Sequence, residues 1–477
     1  MAAMYGKAKL ADKRVLTTGP IARSLLVLAW PVMLSNLLQT IYNFVDTLWL
    51  GRLGKVAVAA PTIAWPLIFF MLSIGAGVTI AGTALVAQYT GARRDEEANQ
   101  AAGQVFTSIG ILAAALTVVG VFVARPIMVA MKVEPALVEQ ATIYLKIIYA
   151  GIPTMFGMFV VTALLNGIGD TLTPMVLVGI SVALNTVLDP LLIFGWGPFP
   201  AWGVAGAATA TVLSRGVIAL VGIYLLFSGR VGLHVRPRHL RPRWESVRQI
   251  IAIGLPSSVG QSGTAVGFSI MTGILARFGT AVVSAFGIGN RFISIALMPA
   301  MGLGQATATM VGQNLGAQEK GRAERSAWTG MGISTFVLVS AAVVVYLLRA
   351  SLVRIFIQDA EVIALGTQML SVVAIAFPFM SIIQIVMGTY QGSGHTGYSM
   401  SFDLFRLWGL RIPLVYALGF TLKLGPDGVW WAMFLSNAST AVLSLGIFLT
   451  GNWKRRVIKG PSLLVEPLLE ETVPLQR

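Results

Sequence analysis

The amino-acid sequence predicts an all-α polytopic membrane protein, its twelve transmembrane helices arranged as two parallel six-helix repeats. Three observations carry this prediction. Hydrophobic residues make up 56% of the chain and charged residues 11%, and the charged share is less than half that of a soluble chain. Twelve apolar runs each reach the length of about 20 residues needed to cross a hydrocarbon core. The chain also aligns on itself, without a gap, when displaced by 225 residues.

In order, the apolar runs cover 21–49, 58–89, 101–125, 139–165, 172–195, 203–228, 247–277, 282–314, 326–349, 362–390, 397–421 and 428–450. The longest imply tilt or kinks, with Pro31, Pro61, Pro153 and Pro256 as kink candidates. Lys7, Lys9, Lys13 and Arg14 precede the first run without a small-residue cleavage site, so that run reads as a retained helix and not a signal peptide.

Basic residues orient the array. One set of connections holds those four and Arg23, then Arg93 and Arg94, the linker from Arg230 to Arg248, Lys320, Arg322 and Arg325, and finally Lys454, Arg455, Arg456 and Lys459. The opposite set holds fewer. Positive residues favour the cytoplasmic face, so a cell-membrane protein with both termini inside is expected. The resulting division is an N-terminal tail (1–20), an N-lobe (21–228), a basic cytoplasmic linker (229–246), a C-lobe (247–450) and a C-terminal tail (451–477). Beyond Gly460 the tail, with Glu466, Glu470 and Glu471, reads as disordered. The net charge of +15 suits topology and contact with anionic lipid, not nucleic acid. The absence of cysteine excludes disulfides, thiolate metal sites and Cys nucleophiles.

At the 225-residue offset Pro31 meets Pro256, Leu50 meets Leu275, Arg52 meets Arg277, Gly54 meets Gly279 and Pro153 meets Pro378. Gln88-Tyr-Thr-Gly-Ala falls on Gln313-Asn-Leu-Gly-Ala, and Asn166-Gly-Ile-Gly-Asp-Thr falls on Gln391-Gly-Ser-Gly-His-Thr. Each half has an even number of spans, so both enter the membrane from the same side. That makes them parallel repeats about an axis along the membrane normal, an arrangement that suits a cavity between two rocking lobes.

Of the nineteen acidic residues, only Asp46, Asp189 and Asp403 fall well inside apolar runs. An intramembrane carboxylate is disfavoured by about 2.5–3.5 kcal/mol on insertion scales and usually faces a cavity where it acts; the other role is structural, hydrogen-bonded to a neighbouring helix. Asp403 has Arg406 three positions on, where the two can pair. Asp46 and Asp189 have no such basic neighbour in sequence. Helix direction places Asp46, Asp189, Tyr144 and Thr211 at one level in the outer half of the first lobe, and Asn185 one turn below Asp189 on the same face. Oxygen ligands from several helices at one level can hold Na⁺; two close carboxylates can instead carry a proton. Lys146 lies on the face opposite Tyr144 and is expected to snorkel outward. At the offset these acids become Met271 and Leu414, Asn185 becomes Leu410, Tyr144 becomes Met369, and only Thr211 keeps a hydroxyl partner, Ser436. The second lobe is therefore expected to lack the ionisable site and to offer the neutral amides Gln261, Gln384 and Gln391.

The stretches YNFVDTLWLGRLG (42–54), VAQYTGAR (86–93), LNTVLDP (184–190), RFISIALMPAMGLGQATATMVGQNLGA (291–317) and MGTYQGSGHT (387–396) jointly resemble the multidrug and toxic compound extrusion (MATE) family, in its first-lobe-coupled prokaryotic, DinF-like branch. The likeness runs from about Arg23 to Lys454. It implies a MATE-type fold of two six-helix lobes opening alternately, and expulsion of cationic or amphipathic compounds in exchange for H⁺ or Na⁺. It also implies a cation-coupling site of Asp46, Tyr144, Asn185, Asp189 and Thr211, with a possible Na⁺ held by Asp46, Asn185, Asp189 and Thr211. Substrate contacts would fall on Gln39, Asn185 and Gln261, with no cofactor beyond the coupling ion. Small-molecule drugs or organic cations and membrane lipid would be its partners, and a monomer is expected. A further branch uses a second-lobe glutamate and aspartate, where this chain has Thr264 and Ser381.

A lipid or lipid-linked oligosaccharide flippase of the wider superfamily is the alternative reading; it would need a strongly cationic cavity. Arg215, Arg291, Arg406 and Arg411 are the candidates for one, most of them read as near helix ends. An enzyme is disfavoured. The three histidines, His234, His239 and His395, fall in cytoplasmic loops, without His–Glu metal spacing or a nucleophile motif.

Overall fold

A computed structural model describes residues 15–132, 134–196 and 200–460. Lys7, Lys9, Lys13 and Arg14, and the tail with Glu466, Glu470 and Glu471, lie outside the described residues.

Six helical spans form the first half: α1 (Ile21–Gly51), α2 (Lys55–Gly91), α3 (Asp95–Ala130), α4 in two pieces (Pro135–Ala150 and Ile152–Ile168), α5 (Leu172–Phe194) and α6 (Val204–Ser228). The second half has α7 (Trp244–Ala276), α8 (Thr280–Gly316), α9 (Lys320–Arg354), α10 (Ala360–Ser393), α11 (the segment 396–421) and α12 (Pro426–Leu449). Among the described residues nine of these helices are singly long and apolar enough to cross a membrane, and the two pieces of α4 make a tenth. α7 is long enough but carries Ser, Thr and Gln along its length, and α11 alternates between α-helical and π-helical turns.

One of the four prolines expected to kink a helix stands at a break. α4 bends by 47° at Gly151, two residues before Pro153, where the ring removes a helical N–H. Pro31, Pro61 and Pro256 lie inside continuous helices. The repeat is visible in the backbone itself. Gly54 and Gly279 start α2 and α8 with φ of 109° and 108°, and Gly169 and Gly394 end α4 and α10 with φ of 90° and 81°. These left-handed values are open to glycine at little cost.

The lobes do not simply face each other, because the starts of α1 and α7 cross over. Leu25, Leu28 and Ala29 of α1 pack in an apolar cluster with α8, α9 and α10, while Ile250 and Ile253 of α7 pack into the core of the first half. Leu25 and Ile250, and Leu28 and Ile253, are offset mates. All inter-lobe hydrogen bonds among the described residues fall between mid-depth and the end where Leu16, the linker and residues 453–460 gather. The highest is Ser73 Oγ to Ser262 Oγ at 2.5 Å. Below it, Thr309 donates to the Asn166 carbonyl at 3.0 Å. Gln88 Nε2 donates to the carbonyls of Gly392 and Ser393, each at 3.1 Å, and its mate Gln313 Nε2 donates to the Gly167 carbonyl at 2.9 Å. There α2 and α8 touch so closely that a methyl group at Gly91 would overlap the Gln313 carbonyl, and one at Gly316 the Gln88 carbonyl. The two lobes are thus joined at the terminus-bearing end.

The linker folds onto α3. Gln104 Nε2 donates to the carbonyls of His239 and Arg241 at 2.7 Å, and Arg238 pairs with Glu96 at 2.7 Å.

Candidate functional site

α1 carries Gln39, Asn43 and Asp46 at spacings of four and three residues, so they share a face. α1 packs on α5, and α5 on α6, which brings Tyr42 of α1 against Thr211 of α6 and the charge of Asp46 within reach of Asp189 on α5. Asn185 and Asp189 are fully buried. Being four residues apart on one helix, they meet directly: Asn185 Nδ2 donates to Asp189 Oδ1 at 3.1 Å. Tyr42, one turn before Asp46, donates from its hydroxyl to Thr211 Oγ1 at 2.7 Å. Tyr144 of α4 is buried close enough to feel the charges of both Asp46 and Asp189, and the two carboxylates act on each other.

Three acceptor oxygens in this cluster are buried without a donor: Asp46 Oδ1, Asn185 Oδ1 and Asp189 Oδ2. A buried acceptor left unpaired costs about 1–3 kcal/mol, more when charged. Atoms of this kind on two carboxylates and an amide suit a proton or a hard cation held by oxygen.

The cluster thus gathers all five residues expected for coupling. Gln39 sits half-buried two turns from Asp46 and donates to Asn43 Oδ1 at 3.4 Å. Gln261 lies on the other lobe, partly buried on α7 beside Ser262. Lys146 is exposed. Asp403 pairs with Arg406 at 2.9 Å.

The sequence reading did not place two neighbours of this cluster here. Tyr42 is one. The other is Arg215, whose guanidinium stacks over the Tyr42 ring at 5.2 Å and whose charge reaches Asp46. Asp46 therefore does have a basic neighbour, supplied by another helix. The signal was present, since Arg215 follows Thr211 by four residues and Tyr42 precedes Asp46 by four. Two further expectations need correction. Arg215 and Arg411 lie in the interiors of α6 and α11, not near helix ends. The second lobe also carries charge at this depth, because Arg406 and Arg411 line a recess against Met271, the offset mate of Asp46.

Known proteins agree with this architecture. The sequence pattern of the MatE family matches residues 31–191 and again 256–417, two matches whose starts are separated by the same 225 residues. The probable multidrug resistance protein NorM of Thermotoga maritima is 30% identical, over 92% of this chain and 94% of its own. The probable multidrug resistance protein YoeA of Bacillus subtilis is 27% identical, over 91% and 95%. The fold superposes with a TM-score of 0.87 on an outward-facing multidrug resistance MATE family transporter of the MOP superfamily, at 24% identity, over 94% of this chain and 99% of that one. With one family pattern matched in both halves and a full-length relative at this identity, the chain belongs to the MatE family of multidrug and toxic compound extrusion transporters.

Proposed function

We propose that the protein is a secondary multidrug efflux antiporter, exchanging cationic or amphipathic organic compounds for H⁺ or Na⁺ through the first-lobe site of the DinF-like branch. It is a multi-pass membrane protein of a transporter family and not an enzyme. The observation that carries the coupling role is the trio of buried, donorless oxygens on Asp46, Asn185 and Asp189. Without a cation these oxygens gather two carboxylates in a low-dielectric interior; a proton or Na⁺ relieves that repulsion. A coupling ion moves a conformational equilibrium only by binding its two states differently, and a full swing needs about 10⁴-fold, or about 5.5 kcal/mol. Two carboxylates whose separation or hydration changes as the lobes rock can supply such a difference. Arg215 offers a competing positive charge when the cation leaves.

Gln39 and Gln261, with Asn185 behind them, are assigned to the substrate path between the lobes. Basic residues concentrate at the end where the lobes are joined, which supports a cytoplasmic location for both termini and a cleft that opens outward in this conformation. Since both lobes of the cleft come from one chain, a monomer suffices. The test is dye efflux from proteoliposomes under an imposed Na⁺ gradient and, separately, a pH gradient. Efflux accelerated by one of them is expected; efflux driven by neither overturns the proposal.

A further inference from the structure

The second lobe has lost the carboxylates of the first and has gained something in their place. Between α7, α8, α11 and α12 lies a small, partly open recess of about 50 Å³, room for a carboxylate group and not for a whole drug-sized molecule. Thr264, Phe268 and Met271 of its α7 wall are the offset mates of Gln39, Asn43 and Asp46. The recess therefore occupies, in the second lobe, the place that the acidic face of α1 occupies in the first. Its charged lining is cationic, from Arg406 and Arg411.

Arg411 is held without a carboxylate. Its Nε donates to Ser436 Oγ at 3.0 Å and its Nη2 to Asn437 Oδ1 at 3.2 Å, and among the described residues no acidic side chain forms an ion pair with it. A guanidinium has five N–H donors in a planar fork, so most of this one stays available to a ligand. Arg406 commits one nitrogen to Asp403. The two arginines are five residues apart in the π-helical turn Phe405–Arg411, where i→i+5 bonding stacks residues at that spacing. Such turns recur at functional sites. Beside them Phe268 and Phe286, with ring centroids 5.6 Å apart, form an aromatic wall. A partly buried arginine fork next to aromatic rings fits a planar oxyanion attached to an apolar body.

We propose that this recess is an anion subsite that receives the carboxylate of amphoteric substrates, while their cationic end faces the carboxylates of the first lobe. The inference rests on reading the inter-lobe cleft as the substrate path; what it adds is the place that receives the anionic end. A lipid phosphate shares the oxyanion chemistry and is separated by the test.

The experiment measures equilibrium binding, with no gradient, of a carboxy-rhodamine and of its methyl ester to the full chain in nanodiscs of phosphatidylcholine. In Arg411→Gln the carboxylate dye is expected to bind about tenfold more weakly, while the ester changes by less than about twofold, since one charge-assisted bond of this kind is worth roughly a factor of ten. Arg411→Lys is expected to recover part of the loss. If Arg411→Gln binds neither dye, the wild-type protein decides: sodium benzoate should displace the carboxylate dye and leave the ester in place. Equal loss of both dyes in a variant that still binds, or displacement of both by benzoate, overturns the proposal. So does loss of the carboxylate preference when phosphatidylglycerol is added, which would assign the recess to lipid phosphate. Because binding is read without a gradient, failure of antiport would leave this result standing.

Discussion

Arg215 brings a positive charge to the first-lobe cluster. It stacks on Tyr42, which is hydrogen-bonded to Thr211, and its field reaches Asp46. If these carboxylates hold the coupling ion, as proposed, a fixed cation there competes with it, since charges a few ångströms apart interact by several kcal/mol at an effective dielectric near 20. Arg215→Gln is therefore expected to bring half-saturation by the coupling ion to about tenfold lower concentration and to slow turnover by retaining the ion. An unchanged half-saturation would remove Arg215 from the site. Asp46, Asp189, Asn185, Tyr144 and Thr211 were legible in the sequence because intramembrane acids are costly and few, and because helix direction fixes depth. Tyr42 and Arg215 were harder to see: a tyrosine and an arginine in an apolar run carry no sign of which neighbour they meet. Arg406 and Arg411 were visible as cavity candidates, but their sharing one recess was not, since π-helical turns, which set their facing, leave no mark in an apolar pattern.

At the scale of elements, the crossing of α2 and α8 holds the terminus-bearing end together. Gln88 is its most connected side chain. Besides the bonds it donates to Gly392 and Ser393, its Oε1 accepts from the backbone N–H of Val457 at 2.9 Å and of Ile458 at 3.4 Å. Ile458 is buried in the core of the first half, so the segment after α12 straps one lobe to the other. Gln88→Ala would leave these groups unpaired, at about 1–3 kcal/mol for each that stays buried. The expected result is a shift toward lobes parted at this end, read by pulsed EPR between spin labels at Asp95 and Lys320; the cysteine-free chain leaves no background thiols. Gln313→Ala should do less, since Gln313 donates one such bond and its Oε1 is without a partner. Identical distance distributions in Gln88→Ala and wild type would contradict a gate at this crossing. Each helix could be read from its apolar run, and Pro153 at the break in α4 was among the prolines the sequence offered for a kink.

At the scale of the whole molecule, a symmetric scaffold carries an asymmetric charge. The repeat was legible because a constant offset survives in glycines and prolines that the backbone requires. The crossing of α1 and α7 into opposite lobes was not, since Leu25 and Ile250 look alike whichever lobe they pack on. Both termini are proposed to lie in the cytoplasm. Lys459 is exposed and its ion pair with Glu245 spans two exposed side chains, so Lys459→Cys should be harmless and should react with impermeant thiol reagent only after the cytoplasmic side is opened; labelling in intact cells would invert the topology. The central claim is that Asp46 and Asp189 act as one ion-coupling unit, and it is met most directly by gradient-driven dye efflux from proteoliposomes containing Asp189→Asn. The expected result is loss of nearly all gradient-driven efflux with dye binding retained, and a double variant with Asp46→Asn little worse than either single one, because residues acting as a unit are not additive. Near wild-type efflux in Asp189→Asn, accelerated by the same ion gradient, would contradict it.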